Sequence, residues 1–181
     1  MTILALAAGT TADMWAGFEN LPDGLYSGTI NTDGSTEVTA YGADGSVAGT
    51  HHFDLVSETP ESKLARRGLD KRDAQCWGYD LNHGGVDTGI RELRELINNA
   101  GGSYLIPRHD YIGFNNQGVY AYICNNDGNG WPQSFDNAFI DEATYAMDHK
   151  CKPYEAGWYF QPSNVWKVFG KCASGADVCK A

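Results

Sequence analysis

Apolar positions recur along this chain in two rhythms. Val86, Ile90, Leu93 and Ile97 follow i, i+4, i+7, i+11, so residues 86–99 read as a helix with one apolar stripe, stopped by Gly101-Gly102. Arg91, Glu92, Arg94 and Glu95 lie off the stripe as a solvated outer face. Residues 118–124 alternate instead: Val119, Ala121 and Ile123 share one face, and Tyr120, Tyr122 and Cys124 share the other. A second helix is expected from an N-cap at Ser134 to about Lys150, with Phe139, Ile140, Ala143, Ala146 and Met147 turned inward and Pro153 beyond its end. Short strands at 105–106, 111–114, 158–161 and 165–169 complete this part, with a loop at 125–130 and a turn at 162–164.

Earlier, turn signals at Pro22-Asp23-Gly24, Asp33-Gly34 and Asp44-Gly45 separate strand-like stretches at 25–30, 37–41 and 52–56. These residues read either as a small β-meander that masks an apolar face of the later part or as a disordered acidic leader. The later order, extended–helix–strands–helix–strands, implies an α+β fold. Its economical form is a small disulfide-bridged, two-layer, plait-like sandwich with two helices on a mostly antiparallel sheet.

Composition divides the 181 residues. Residues 1–62 hold no Lys, Arg or Cys and nine acidic side chains, whereas all five cysteines and eight of ten tyrosines follow residue 72. Between them lies Lys63-Leu-Ala-Arg66-Arg67-Gly-Leu-Asp-Lys71-Arg72, with two dibasic pairs. A processing protease of the kexin-like class needs two cationic side chains on an exposed, extended backbone, and this linker supplies them. Lys71-Arg72 is the main expected cut and Arg66-Arg67 a second. The division is then 1–12, a short or truncated signal peptide around Ile3–Ala8; 13–72, an acidic propeptide, weakly structured or a small β unit; and 73–181, the mature domain. Secretion is the expected location.

Net charge is −10, shared equally by residues 1–72 and 73–181. An acidic domain without a basic cluster argues against nucleic-acid partners and against adsorption to anionic lipid. No apolar run approaches the roughly 18 residues of a membrane-spanning helix, so stable insertion is not expected.

Cys76, Cys124, Cys151, Cys172 and Cys179 lack zinc-type spacing, so neither a metal nor another cofactor is expected. In an oxidising compartment they read as two disulfides and one thiol. Spacing leaves the pairing open; the preferred arrangement is Cys124–Cys151, with Cys76 joined to Cys172 or Cys179.

Candidate chemistry is sparse, and no catalytic motif stands out. His109-Asp110 would project to opposite faces of a strand, and Glu142 and His149, seven apart, share a helix face without a metalloprotease spacing. Trp77, Trp131, Trp158, Tyr159 and Trp166 could stack on sugar rings. Trp131, after a polar Gly/Asn loop, is the best exposed candidate, and Trp158 is the second ligand-binding candidate.

An acidic leader, a kexin-type Lys71-Arg72 cut and a short domain running from Cys76-Trp77-Gly78-Tyr79 through 119–124 to Lys171-Cys172 and Cys179 together resemble small secreted fungal proteins. The domain is loosely similar to killer-toxin-like and necrosis-inducing effector families. That resemblance implies a virulence or toxin-like protein acting by binding a protein or glycan of a host or competitor cell, with no catalytic residues to carry over. The odd cysteine count departs from the even count usual there. Two alternatives remain: a carbohydrate-binding module using the tryptophans, or a small ribonuclease-like hydrolase drawing on Arg108, His109, Glu142 and His149.

Overall fold

The computed structural model describes residues 14–56, 74–126, 130–161 and 166–179. The expected signal peptide, both dibasic pairs and the 162–164 turn lie outside them.

Asp33 and Asp44 set the first two hairpins. Asp33 Oδ1 accepts from the Ser35 amide at 2.9 Å and hydroxyl at 2.7 Å, and Asp44 Oδ1 does the same with Ser46 at 3.0 and 2.6 Å. These bonds hold both carboxyls below their usual range. Gly34 and Gly45 then take φ of 88° and 78°, the left-handed backbone that closes each turn. The result is β2 (Gly24–Ile30), β3 (Thr36–Tyr41) and β4 (Val47–Phe53). Of the two readings of this region, the meander forms.

It does not form a separate unit. β2 pairs along its other edge with β8 (Asp110–Asn116), from Gly24↔Asn115 to Thr29↔Asp110. β8 continues to β9 (Val119–Asn125), β12 (Lys167–Ala173), β11 (Glu155–Phe160) and β6 (Gln75–Asp80). The described strands thus make an eight-stranded sheet, β4-β3-β2-β8-β9-β12-β11-β6, antiparallel throughout. Two short ribbons accompany it, β1 (Met14–Trp15) with β5 (Leu55–Val56) and β7 (Tyr104–Ile106) with β10 (Gln133–Phe135).

One face carries the helices, as the alternation in β9 requires. α1 (His83–Asn99) is capped by Asn82, whose side chain accepts from the Gly85 amide at 2.9 Å. Its seat on the sheet depends on two small residues. A Cβ at Gly85 would lie 2.6 Å from the Asn116 carbonyl, and one at Gly89 2.8 Å from Ala121 Cβ. α2 (Asn137–Lys150) is capped by Asp136 rather than Ser134, which instead pairs with Leu105 in the β7–β10 ribbon. Leu93, Ile97, Phe139, Ile140, Ala143 and Met147 bury against Ala121, Ile123 and Phe169, while Ala146 is half-buried.

The opposite face is closed as well, so the expected two layers account for only part of the molecule. Trp15 and Phe18 pack on Tyr111 and Tyr120, with ring centroids 5.5 and 5.2 Å apart. The Trp15 amide donates to the Gly175 carbonyl at 2.9 Å, and Met14 bridges to Ala176. The cover is therefore made by both ends of the described chain. Among the described residues, no helix is long and apolar enough to cross a membrane.

The cysteine pairs are Cys76–Cys151 and Cys124–Cys179, with Cα separations of 5.6 and 5.9 Å; Cys172 is free and buried. The preferred Cys124–Cys151 bridge is thus incorrect, and β9 gives the reason. Cys124 points to the tyrosine face with Tyr120 and Tyr122, away from the helices, and cannot reach Cys151 at the end of α2. Cys76 pins an edge strand to that helix end instead. Closing loops of 75 and 55 residues contributes about 4 kcal/mol each in the chain-entropy account.

Peptide mapping of non-reduced protein should return these two linked pairs. Trp15→Ala should lower unfolding stability by about 3–5 kcal/mol in urea, because Trp15 is fully buried in the shared core. A change under 1 kcal/mol would mean that residues before 57 are not integral to the fold.

Candidate functional site

Outward from the sheet, the β7–β10 ribbon forms a rim beside the end of β9. Tyr104, Leu105 and Ile106 face Phe135, Ser134 and Gln133. Alternation buries Ile106 and Phe135 and leaves Leu105 61% exposed. Three residues before Ser134, Trp131 is 70% exposed. Gly130 precedes it with φ of 90°, a left-handed backbone that glycine adopts without strain.

Asn125 holds this rim in place. Its side chain is 1% exposed, and its Nδ2 donates to the Ile106 carbonyl at 3.0 Å and to the Trp131 carbonyl at 2.9 Å. One buried amide therefore ties the strand bearing Leu105 to the segment bearing Trp131. Beneath them, Lys167 Nζ lies 5.5 Å from the Phe135 ring centroid and 5.7 Å from that of Phe139, within cation–π range. A large aromatic side chain thus stands in solvent on a backbone braced from inside.

Other predicted positions lie elsewhere. Trp158 is 8% exposed and belongs to the core of the tyrosine face, so it offers no stacking surface. Trp77 is half-buried against that core, and Trp166 packs edge-on against Phe160. His109 sits in a turn at φ of 63°, its amide donating to the Asn125 carbonyl at 2.9 Å, and Asp110 accepts from the Thr29 hydroxyl at 2.6 Å. Glu142 accepts from the Tyr159 hydroxyl at 2.6 Å and Gln161 Nε2 at 3.1 Å, while the His149 ring lies tilted by 37° against Tyr145 with centroids 3.8 Å apart. Asp110, Glu142 and His149 each have their own structural partner. The convergence that a ribonuclease-like cleft needs is not found in these contacts.

Two polar groupings were not legible in the sequence. Lys171 is buried between sheet and helices and pairs with Asp148 at 3.5 Å. Nearby, Tyr154 takes φ of 64°, stacks on His83 at 3.8 Å and directs its hydroxyl toward Asp87 at 3.5 Å. On the other face, the free Cys172 thiol donates to the Tyr120 carbonyl at 3.6 Å. Burial, assisted by the Asp177 carboxylate, pushes that thiol far above its ordinary value, so it stays protonated and unreactive. No group of three or more His, Cys, Asp or Glu side chains among the described residues is arranged to hold a metal ion.

Cys172 should resist iodoacetamide at pH 9 in the native protein and react only on unfolding. Trp131→Ala should change stability by less than about 0.5 kcal/mol, as expected of an exposed side chain, while lowering the acrylamide quenching of the tryptophan fluorescence. Loss of folding in this variant would make Trp131 a packing residue. Comparison with family models, with curated proteins and with solved structures finds no match.

Proposed function

We propose that this chain is a secreted effector or toxin-like protein, cut after Arg72, that acts by binding a protein or glycan of another cell through the Trp131–Leu105 rim. The supporting observation is Trp131 itself, 70% exposed on a segment braced by the buried Asn125 amide. Exposing an indole forgoes roughly 1.5–3 kcal/mol of burial, and here it sits on a segment tied to the buried Asn125 amide. Aromatic anchors carry much of the energy in binding surfaces. A flat indole edged by polar Gly/Asn sequence also suits stacking on a sugar ring, which keeps the carbohydrate-binding alternative within the same site.

Labelled protein should be retained on intact target cells, and Trp131→Ala should cut that retention at least tenfold, with Leu105→Ala intermediate. Retention on chitin or β-glucan beads with the same dependence would assign a glycan. Hydrolysis of bulk RNA that is indifferent to Trp131→Ala would instead support the hydrolase alternative and overturn the binding reading.

A further inference from the structure

We infer that a chain cut after Arg72 remains assembled as two polypeptides, with residues 14–56 retained as a permanent, non-covalent subunit of the active protein. The inference rests on the proposed cleavage and concerns the fate of the two pieces. Both disulfides lie within residues 74–179, and no cysteine precedes Cys76, so a cut in the linker leaves no covalent tie between the two parts. The seam between β2 and β8 then has to hold them together.

That seam is built like an interior. β2 lies third from one edge of the eight-stranded sheet, and six residue pairs in register join it to β8. The seam is also bonded from both sides. The Tyr120 hydroxyl donates to the Tyr26 carbonyl at 3.1 Å, and the Thr36 and Tyr111 hydroxyls share a buried bond of 2.8 Å. Asn115 Nδ2 donates to the Leu21 and Pro22 carbonyls at 2.8 and 3.1 Å, and the Gln117 amide donates to Asp23 at 2.9 Å. Trp15, Phe18, Tyr26 and Val38, all from the front segment, are at most 4% exposed.

Removing the segment would open the β8 edge and uncover Tyr111 and Tyr120. Their hydroxyls, and the Asn115 amide, would lose the partners named above. An edge of that kind is a template for an added strand, and the chain's own front segment already occupies it. The fit is close. A Cβ at Gly28 would lie 2.4 Å from atoms of the Tyr111 ring, so β2 seats only because that position carries no side chain.

The test uses the full chain with a tobacco-etch-virus protease site replacing residues 63–72, cut to completion and examined by gel filtration and native mass spectrometry. The expected result is one native species with the summed mass of both pieces, an unchanged near-UV circular dichroism spectrum, and two bands on a denaturing gel. Separation of the pieces, with the larger one either folded or aggregated, overturns the inference. Gly28→Val supplies a second measurement: by crowding the Tyr111 ring it should lower the stability of the uncut chain and let the two pieces separate once cut. If cut Gly28→Val protein stays together as tightly as the parent, the β2–β8 seam is not what holds it. In a parallel arm, the unaltered chain is treated with a kexin-type protease. Failure to cut there, beside a stable two-piece species in the first arm, removes the processing reading and leaves the association intact.

Discussion

All seven residues of β9 are buried, and the rest of the molecule is arranged around that requirement. A strand in the middle of a sheet can be buried at every position only if both faces are covered. Val119, Ala121 and Ile123 are covered by α1, α2 and their neighbours, brought close by Gly85 and Gly89. Tyr120, Tyr122 and Cys124 need a second cover, and it comes from Trp15, from Phe18 in the single 3-10 turn Phe18–Asn20, and from the stretch ending at Cys179. The tyrosine hydroxyls make this face more demanding than a purely aliphatic one. Each must reach a partner on this face, and Tyr120 finds the Tyr26 carbonyl of β2 while Tyr111 finds Thr36 of β3.

This explains which parts of the fold were legible. Local signals were sufficient for most of the elements, although residues 133–135 form a strand where a helix cap was expected. The helical stripe from Val86 to Ile97 became α1, the two Asp-Gly turns became hairpins, and the alternation in 119–124 was right residue by residue. Long-range pairing was not legible. Nothing in residues 24–30 states that their free edge will meet residues 110–115, because strand periodicity reports which side is buried and not which strand lies alongside. Charge and cysteine content mark a boundary near residue 72, but the sheet runs across it. Composition marks a change in residue usage, whereas hydrogen-bond registers decide which segments share a core.

The candidate site shows the same division. Trp131 was legible as an exposed aromatic because it comes after a run of Gly and Asn. Asn125, which braces it, reads as part of that same loop and proves to be the buried last residue of β9. An Asn at a strand end reads as a turn former, and only the three-dimensional placement of two carbonyls turns it into an internal clamp. Trp158 and Cys124 are misread in a common way. Both are side chains whose role depends on the face they occupy, and the sequence does not reveal that the non-helical face is closed.

The two halves of the sheet are stabilised by different means. Beyond β8, bridges fasten the β6 edge to the end of α2 and β9 to the last described residues, so that half is constrained even when unfolded. The half made of β2, β3 and β4 has no bridge and relies on what it buries. Full burial of side chains such as Trp15, Phe18 and Tyr26 contributes about 1.5–3 kcal/mol each, and three of them together match or exceed one disulfide. Covalent cross-links are therefore unnecessary on that side. Their absence leaves the polypeptide backbone through residues 57–73 as the one covalent tie between halves of a continuous sheet, and that stretch contains both dibasic pairs. Cutting it would raise the entropy of the separated state without removing a single described contact. The strength of the seam between β2 and β8 therefore decides whether such a cut changes anything beyond chain count.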